Sequence, residues 1–170
     1  WQDWPQWTWD EKYCRVEDYL QKLVDSELLT PAERESITPK ILINLLDGTV
    51  GHQLLNAARV LREVPFTFLM RDKDGTEGSL IQGVIDVLLI NRSQQAAIID
   101  YKSDVVPRES NPSDFFLRKY GIQLKLYKLA VEQLTKYPVV SCSIYSFDLG
   151  KEIELIHSLH HVNIGNLLAP

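Results

Sequence analysis

The sequence predicts an α/β domain built around a central mixed sheet, and three features of its hydrophobic pattern carry that prediction. Apolar residues recur at helical spacing through the first 60 positions. From Val64 to Lys102 the period becomes that of strands joined by short turns. A helical stretch at 120–135 then intervenes before two further strands. At 170 residues with 45% hydrophobic and 24% charged side chains, the chain has the material for one packed domain and is not a disordered tract. The expected layout is a helical lead-in over 1–60 and a sheet core over 61–160.

The elements follow in order. All four tryptophans fall at positions 1, 4, 7 and 9, an apolar cluster that predicts docking on the domain or on a neighbour. Val16, Tyr19, Leu20, Leu23 and Leu28 mark a helix over about 15–29. Thr30-Pro31-Ala32-Glu33 then supplies an N-cap, a proline at the first helical position and a capping-box glutamate. Thr38-Pro39 repeats the signal for a helix that stops near Asp47-Gly48, with a short helix over about 50–59 behind it. Strands are expected at Val64–Met70, Ser79–Ile90 and Ala96–Lys102, with turns at Asp74-Gly75 and Asn91–Gln95, which makes an antiparallel meander. A loop containing Pro107 and Pro112 leads to the 120–135 helix, followed by strands at Val139–Phe147 and Lys151–Leu159.

Chemistry is concentrated at the ends of two of these strands. Asp86 is a single carboxylate in the apolar run Gly83-Val84-Ile85-Asp86-Val87-Leu88-Leu89, and a buried acid requires a partner, a metal or a neutral state. The next strand ends Ile98-Ile99-Asp100-Tyr101-Lys102, where Asp100 and Lys102 share a face. Pairing through the 91–95 turn brings Asp86 and Asp100 together near one sheet edge. Two carboxylates, the Tyr101 backbone carbonyl and waters form a nest of hard oxygens suited to Mg²⁺, for which Mn²⁺ substitutes. Lys102 is then placed to position or deprotonate an attacking water, or to steady developing negative charge. An ion pair between Lys102 and either aspartate is the plain structural alternative. On the following helix, Gln123 and Tyr127 lie one turn apart and offer hydrogen bonds to a phosphate or to a ligating carboxylate.

The blocks Glu63-Val64-Pro65-Phe66, Ile81-Gln82-Gly83-Val84-Ile85-Asp86, Ile99-Asp100-Tyr101-Lys102-Ser103-Asp104 and Gln123-Leu124-Lys125-Leu126-Tyr127 resemble, in order and spacing, those of RecB/AddA-type nuclease domains. These belong to the PD-(D/E)XK nuclease superfamily, and the resemblance is strongest to the C-terminal nuclease domain of bacterial helicase–nucleases. It covers residues 20–148 and implies a restriction-endonuclease-like core. It also implies metal binding by Asp86 and Asp100, a catalytic Lys102, support from Gln123 and Tyr127, and Mg²⁺-dependent cleavage of DNA during double-strand-break processing. The implied partners are a single-stranded DNA end, the helicase portion of the same chain and a second helicase–nuclease subunit. No phosphate loop occurs here, so ATP would act only through a motor domain outside these residues. Such domains carry a histidine in a Gly-Thr-x-x-His block. Gly48-Thr49-Val50-Gly51-His52 fits that string but sits closer to Glu63 than in the AddA type, so the site histidine is either His52 or lies outside this sequence. The rival reading is a nuclease fold without complete catalytic equipment, used for DNA threading or subunit docking.

Charge and cysteine content set the remaining bounds. Net charge is −5, yet Lys102, Arg108, Arg118, Lys119, Lys125 and Lys128 face only Asp104, Glu109 and Asp114 within 102–128, a local +3. Arg118, Lys119, Lys125 and Lys128 are the predicted DNA contacts. Cys14 and Cys142 are 128 positions apart, which excludes an iron–sulfur staple and fits a reducing, cytoplasmic setting. His157, His160 and His161 lack further ligands at zinc spacing. No run is long enough to span a membrane. A start at Trp1, with Met70 the only methionine, is expected for a fragment of a longer polypeptide.

Overall fold

The computed structural model describes residues 3–71 and 78–164, and the chain divides into two compact units, Trp1–Leu55 and Asn56–Pro170. The division falls close to the change of hydrophobic period near residue 60.

The first unit is helical: α1 (Trp9–Asp25), α2 (Pro31–Ser36), α3 (Pro39–Asp47) and α4 (Thr49–Asn56), preceded by a 3₁₀ turn at Trp4–Gln6. Thr8 and Glu11 cap α1 reciprocally, and Thr30 and Glu33 do the same for α2 as the sequence predicts. The Thr38 side chain makes no capping bond, so α3 begins on the preset φ of Pro39 alone. Trp4 is buried with Val16, Leu20 and Ile43, and its indole N–H donates to Asp47 Oδ1 at 2.8 Å. One of the clustered tryptophans therefore forms part of this unit's own core; Trp1 lies outside the described residues, and Trp9 is exposed at the start of α1. Gly51 is required where α4 meets the end of α3, because a Cβ there would sit 2.0 Å from the Leu46 carbonyl oxygen.

The second unit is a five-stranded sheet in the order β1 (Arg59–Arg71), β2 (Gly78–Ile90), β3 (Ala96–Lys102), β4 (Val139–Ser146) and β5 (Lys151–Glu154). All neighbours are antiparallel except β3 and β4, so the sheet is mixed as expected. The predicted Asp74-Gly75 turn lies outside the described residues. The β2–β3 turn is closed by Asn91, whose Oδ1 accepts from the N–H groups of Ser93 and Gln95, both at 2.9 Å. Parallel neighbours need a crossover, and α5 (Pro112–Thr135) provides it. This helix starts eight residues before its predicted limit. Asn111 Oδ1 accepts from Ser113 and Asp114, and Pro112 occupies a first-turn position that needs no N–H, so the proline opens the helix rather than extending a loop. Strand β5 ends at Glu154, five residues before its predicted limit, and the chain turns into a 3₁₀ segment at Leu159–His161.

One face of the sheet packs on α5. Leu88, Ile98, Cys142 and Ile144 from the sheet meet Phe116 and Leu124 from the helix in a buried cluster, each side chain contributing on the order of 1.5–3 kcal/mol of hydrophobic stabilisation. No helix of the described residues is long and apolar enough to cross a membrane.

Candidate active site

The site forms where the backbone ladders around Asp86 lapse. Pairing of β2 with β3 runs from Ile90↔Ala96 to Val87↔Ile99 and stops one step short of Asp86 and Asp100. Beyond that point the Tyr101 N–H donates to the Asp86 carboxylate, Oδ2, at 2.9 Å. On the other side, the β1–β2 register skips from Arg62↔Val87 to Val64↔Ile85. The residue omitted there, Glu63, has a left-handed backbone with φ 50°. Asp86 therefore occupies a gap in the sheet and ties β2 to β3 through its side chain.

Asp100 and Lys102 project from β3 toward α5, as the alternation of the strand requires. The Asp100 side chain is fully buried. Its Oδ1 accepts from Gln123 Nε2 at 3.1 Å, and the same nitrogen lies 2.7 Å from the Tyr127 hydroxyl. Its Oδ2 faces the Lys102 ammonium in an ion pair. Burial holds the Asp100 carboxyl above the usual carboxylate range, Lys102 pulls it back, and the Asp86 charge adds to the rise. For Lys102, burial disfavours the charge, but Asp100, Asp86 and Tyr120 outweigh it and raise the ammonium above the usual lysine value. Tyr127 is buried against Phe66, ring centroids 5.6 Å apart and near-perpendicular, which fixes the α5 side of the site.

The structure thus brings together Asp86, Asp100, Lys102, Gln123 and Tyr127, with Tyr101 between the two β3 residues. The ion pair that the sequence offered as the plain alternative is formed as well. Two side chains outside the predicted set border it. The Tyr120 ring lies 4.5 Å beneath the Lys102 ammonium, and its hydroxyl donates to Asp104 Oδ2 at 2.6 Å. Their signal is positional: Tyr120 stands three and seven residues before Gln123 and Tyr127, on one helix stripe, and Asp104 two residues after Lys102.

The other predicted residues are placed differently. His52 is exposed on α4, in the first unit. Of the four cations expected to hold DNA, Lys119 pairs with Asp104, Lys125 donates to the Val162 carbonyl, and Lys128 pairs with Glu132 at 2.6 Å. Among the described residues, Arg118 reaches only the Asp114 carbonyl, at 3.3 Å.

The donor set is compatible with a hard divalent cation. Asp86 and Asp100, on neighbouring strands, supply hard carboxylate oxygens of the kind such a cation prefers. Among the described residues no group of three or more His, Cys, Asp or Glu side chains gathers, so any cation here would rest on the two aspartates, backbone and water.

A mixed sheet thus brings an aspartate from one strand and an Asp-x-Lys pair from the next against a Gln/Tyr-bearing helix. The sequence model of the PD-(D/E)XK nuclease superfamily matches residues 6–159, and the chain belongs to that superfamily. It is similar to proteins named as subunits of ATP-dependent helicase/nucleases: 37% identical over 151 residues in Desulfitobacterium hafniense and 34% over 154 residues in Geobacillus kaustophilus. These alignments take in 85% and 83% of this chain but only 11% and 12% of those proteins. The chain therefore spans about a ninth of the length of the curated relatives it matches.

Proposed function

We propose that this chain is the Mg²⁺-dependent deoxyribonuclease module of a longer cytoplasmic helicase–nuclease, of exonuclease type, trimming single-stranded DNA ends while double-strand breaks are processed. The match to the superfamily extends over both compact units, which supports reading 1–170 as one nuclease module. The carrying observation is Asp100: a fully buried carboxylate next to Asp86 and ion-paired to Lys102. A cation held by Asp86, Asp100 and the Tyr101 carbonyl would supply Lewis acidity and neutralise phosphate charge.

The chain's own residues account for the rest of the chemistry. Lys102 orients the attacking water and offsets the charge that builds on the phosphate oxygens. Water adds to phosphorus as the bond to the 3′ oxygen breaks, leaving a 5′ phosphate and a 3′ hydroxyl that takes up a proton. Gln123 holds Asp100 in its rotamer, and Tyr127 holds Gln123. Arg118, with the least committed side chain of the four cations, is the first of them to meet a phosphate. The motor and any further partner would belong to the rest of the longer polypeptide and its complex.

The test is incubation of the chain with linear single-stranded DNA and Mg²⁺ or Mn²⁺. Cleavage should fall by at least about 10³-fold in Asp86→Ala and Asp100→Ala, the scale of losing a principal electrostatic element. Cleavage by the wild type that survives in both variants would refute the assignment of these residues. A folded wild-type chain that binds divalent ions through these aspartates yet cleaves nothing would favour the threading or docking reading.

A further inference from the structure

A lysine that orients water must itself be held, and the ion pair with Asp100 is one part of that hold. Asp100 is also a proposed metal ligand, so with a cation bound its oxygens would be shared between two positive charges. The Lys102 ammonium also has an aromatic contact: it sits 4.5 Å from the centroid of the Tyr120 ring. That ring is fixed at three points. It rides on α5 three residues before Gln123, it stacks on the buried Phe116 ring (centroids 6.3 Å apart, planes 25° apart), and its hydroxyl is bonded to Asp104 at 2.6 Å. Asp104 is itself held by Lys119, which lies farther from the ring, at 5.4 Å, and is committed to that carboxylate.

We infer that Tyr120 is a positioning residue for the reaction: its face seats the Lys102 ammonium beside Asp100, and Asp104 locks the ring through the hydroxyl. The inference rests on the nuclease reading for its catalytic meaning, but the seat exists in the protein without metal or DNA. A flexible four-carbon side chain with three equivalent donors has many ways to point. The ring removes most of them and occupies none of the donors, so the ion pair with Asp100 stands beside it. The hydroxyl is dispensable for the cation contact itself and matters only for keeping the ring in place. Phenylalanine should therefore retain most of the function and leucine should not.

The experiment is NMR of the metal-free chain labelled with ¹³C-lysine, with the Lys102 signal assigned by its loss in Lys102→Met. In the wild type the Lys102 ε-methylene protons should be moved upfield by the Tyr120 ring current. The shift should persist in Tyr120→Phe and vanish in Tyr120→Leu, with far-UV circular dichroism confirming that both variants are folded. With Mg²⁺ and single-stranded DNA, Tyr120→Leu should lower kcat by about 10- to 100-fold, the cost of misplacing a catalytic group. KM should change little, and Tyr120→Phe should restore most of the rate. An unshifted Lys102 signal in the wild type, or an unchanged kcat in a folded Tyr120→Leu, would overturn the inference. Because the spectrum is recorded without metal or substrate, it decides the seat even when the wild type cleaves nothing, an outcome that counts against the nuclease reading alone.

Discussion

The Asp100–Lys102 pair sets how this site responds to substitution. Asp100 is fully buried and the Lys102 side chain is only 17% exposed, so removing either partner strands a charge in a poor solvent. Lys102→Met should cost about 3 kcal/mol or more at neutral pH. That cost has a sign with pH. Asp100 already has a folded-state pKa above its ordinary value, and loss of Lys102 lifts it further. Between the unfolded and folded values the native state binds the proton more tightly, so the variant gains stability as pH falls through that window. In the wild type, the Lys102 contribution is present below the ordinary lysine value and is lost only as pH rises through its raised one. Urea unfolding at pH about 7 and about 5 checks this: the deficit of Lys102→Met should shrink at the lower pH. Adding Asp100→Asn should recover much of the lost stability while leaving the protein inactive, because replacing both partners removes the stranded charge. A deficit independent of pH would show that Asp100 is not the group responsible. The Asp100–Lys102 spacing was legible in the sequence because a strand's period is fixed. The Tyr120 contact was not, because it joins a strand to a helix and depends on how the two pack.

At the level of elements, the site is transmitted through a packing chain that begins at a glycine. Gly83 of β2 lies opposite Phe66 of β1, and a Cβ at Gly83 would approach the Phe66 ring to 2.7 Å. Phe66 in turn presses on Tyr127, which meets Gln123, which holds Asp100. Gly83→Ala should therefore destabilise the chain by roughly 1–3 kcal/mol through overpacking. It should also reduce cleavage more than an equally destabilising change far from this chain of contacts. Thermal unfolding beside single-turnover kinetics separates the two effects, and a stability loss with unchanged kinetics would break the proposed link. The antiparallel meander of the first three strands followed from period and turn residues, and Ala96–Lys102 was predicted to the residue. The first two turns of α5 were not, because Pro107 and Pro112 carry a loop signal and a helix-start signal at once. The Asn111 cap decides between them only when its bonds are formed. The left-handed Glu63 had no sequence signal at all, since nothing in a glutamate marks a positive φ.

For the whole molecule, the question is how a chain of net charge −5 would hold an anionic polymer. The local excess of cations over 102–128 was legible from the sequence, but its availability was not, because charge counts ignore internal pairing. Lys119, Lys125 and Lys128 already have acceptors within the protein, which leaves Arg118 as the least committed cation of the predicted four. Binding of single strands releases counterions with a slope of about −0.7 in log K against log salt for each phosphate contacted. With about two contacts, a tenfold rise in salt should weaken binding by roughly 25-fold. Fluorescence anisotropy on a labelled oligothymidylate, with EDTA present to prevent cleavage, measures that slope directly. A slope of about −3 or steeper would mean that four or more phosphates are engaged and that the paired lysines release their partners to reach them. On the proposed reading, a shallow slope would mean that DNA is held chiefly by parts of a longer polypeptide beyond these 170 residues, with this module contributing the proposed cutting carboxylates and lysine.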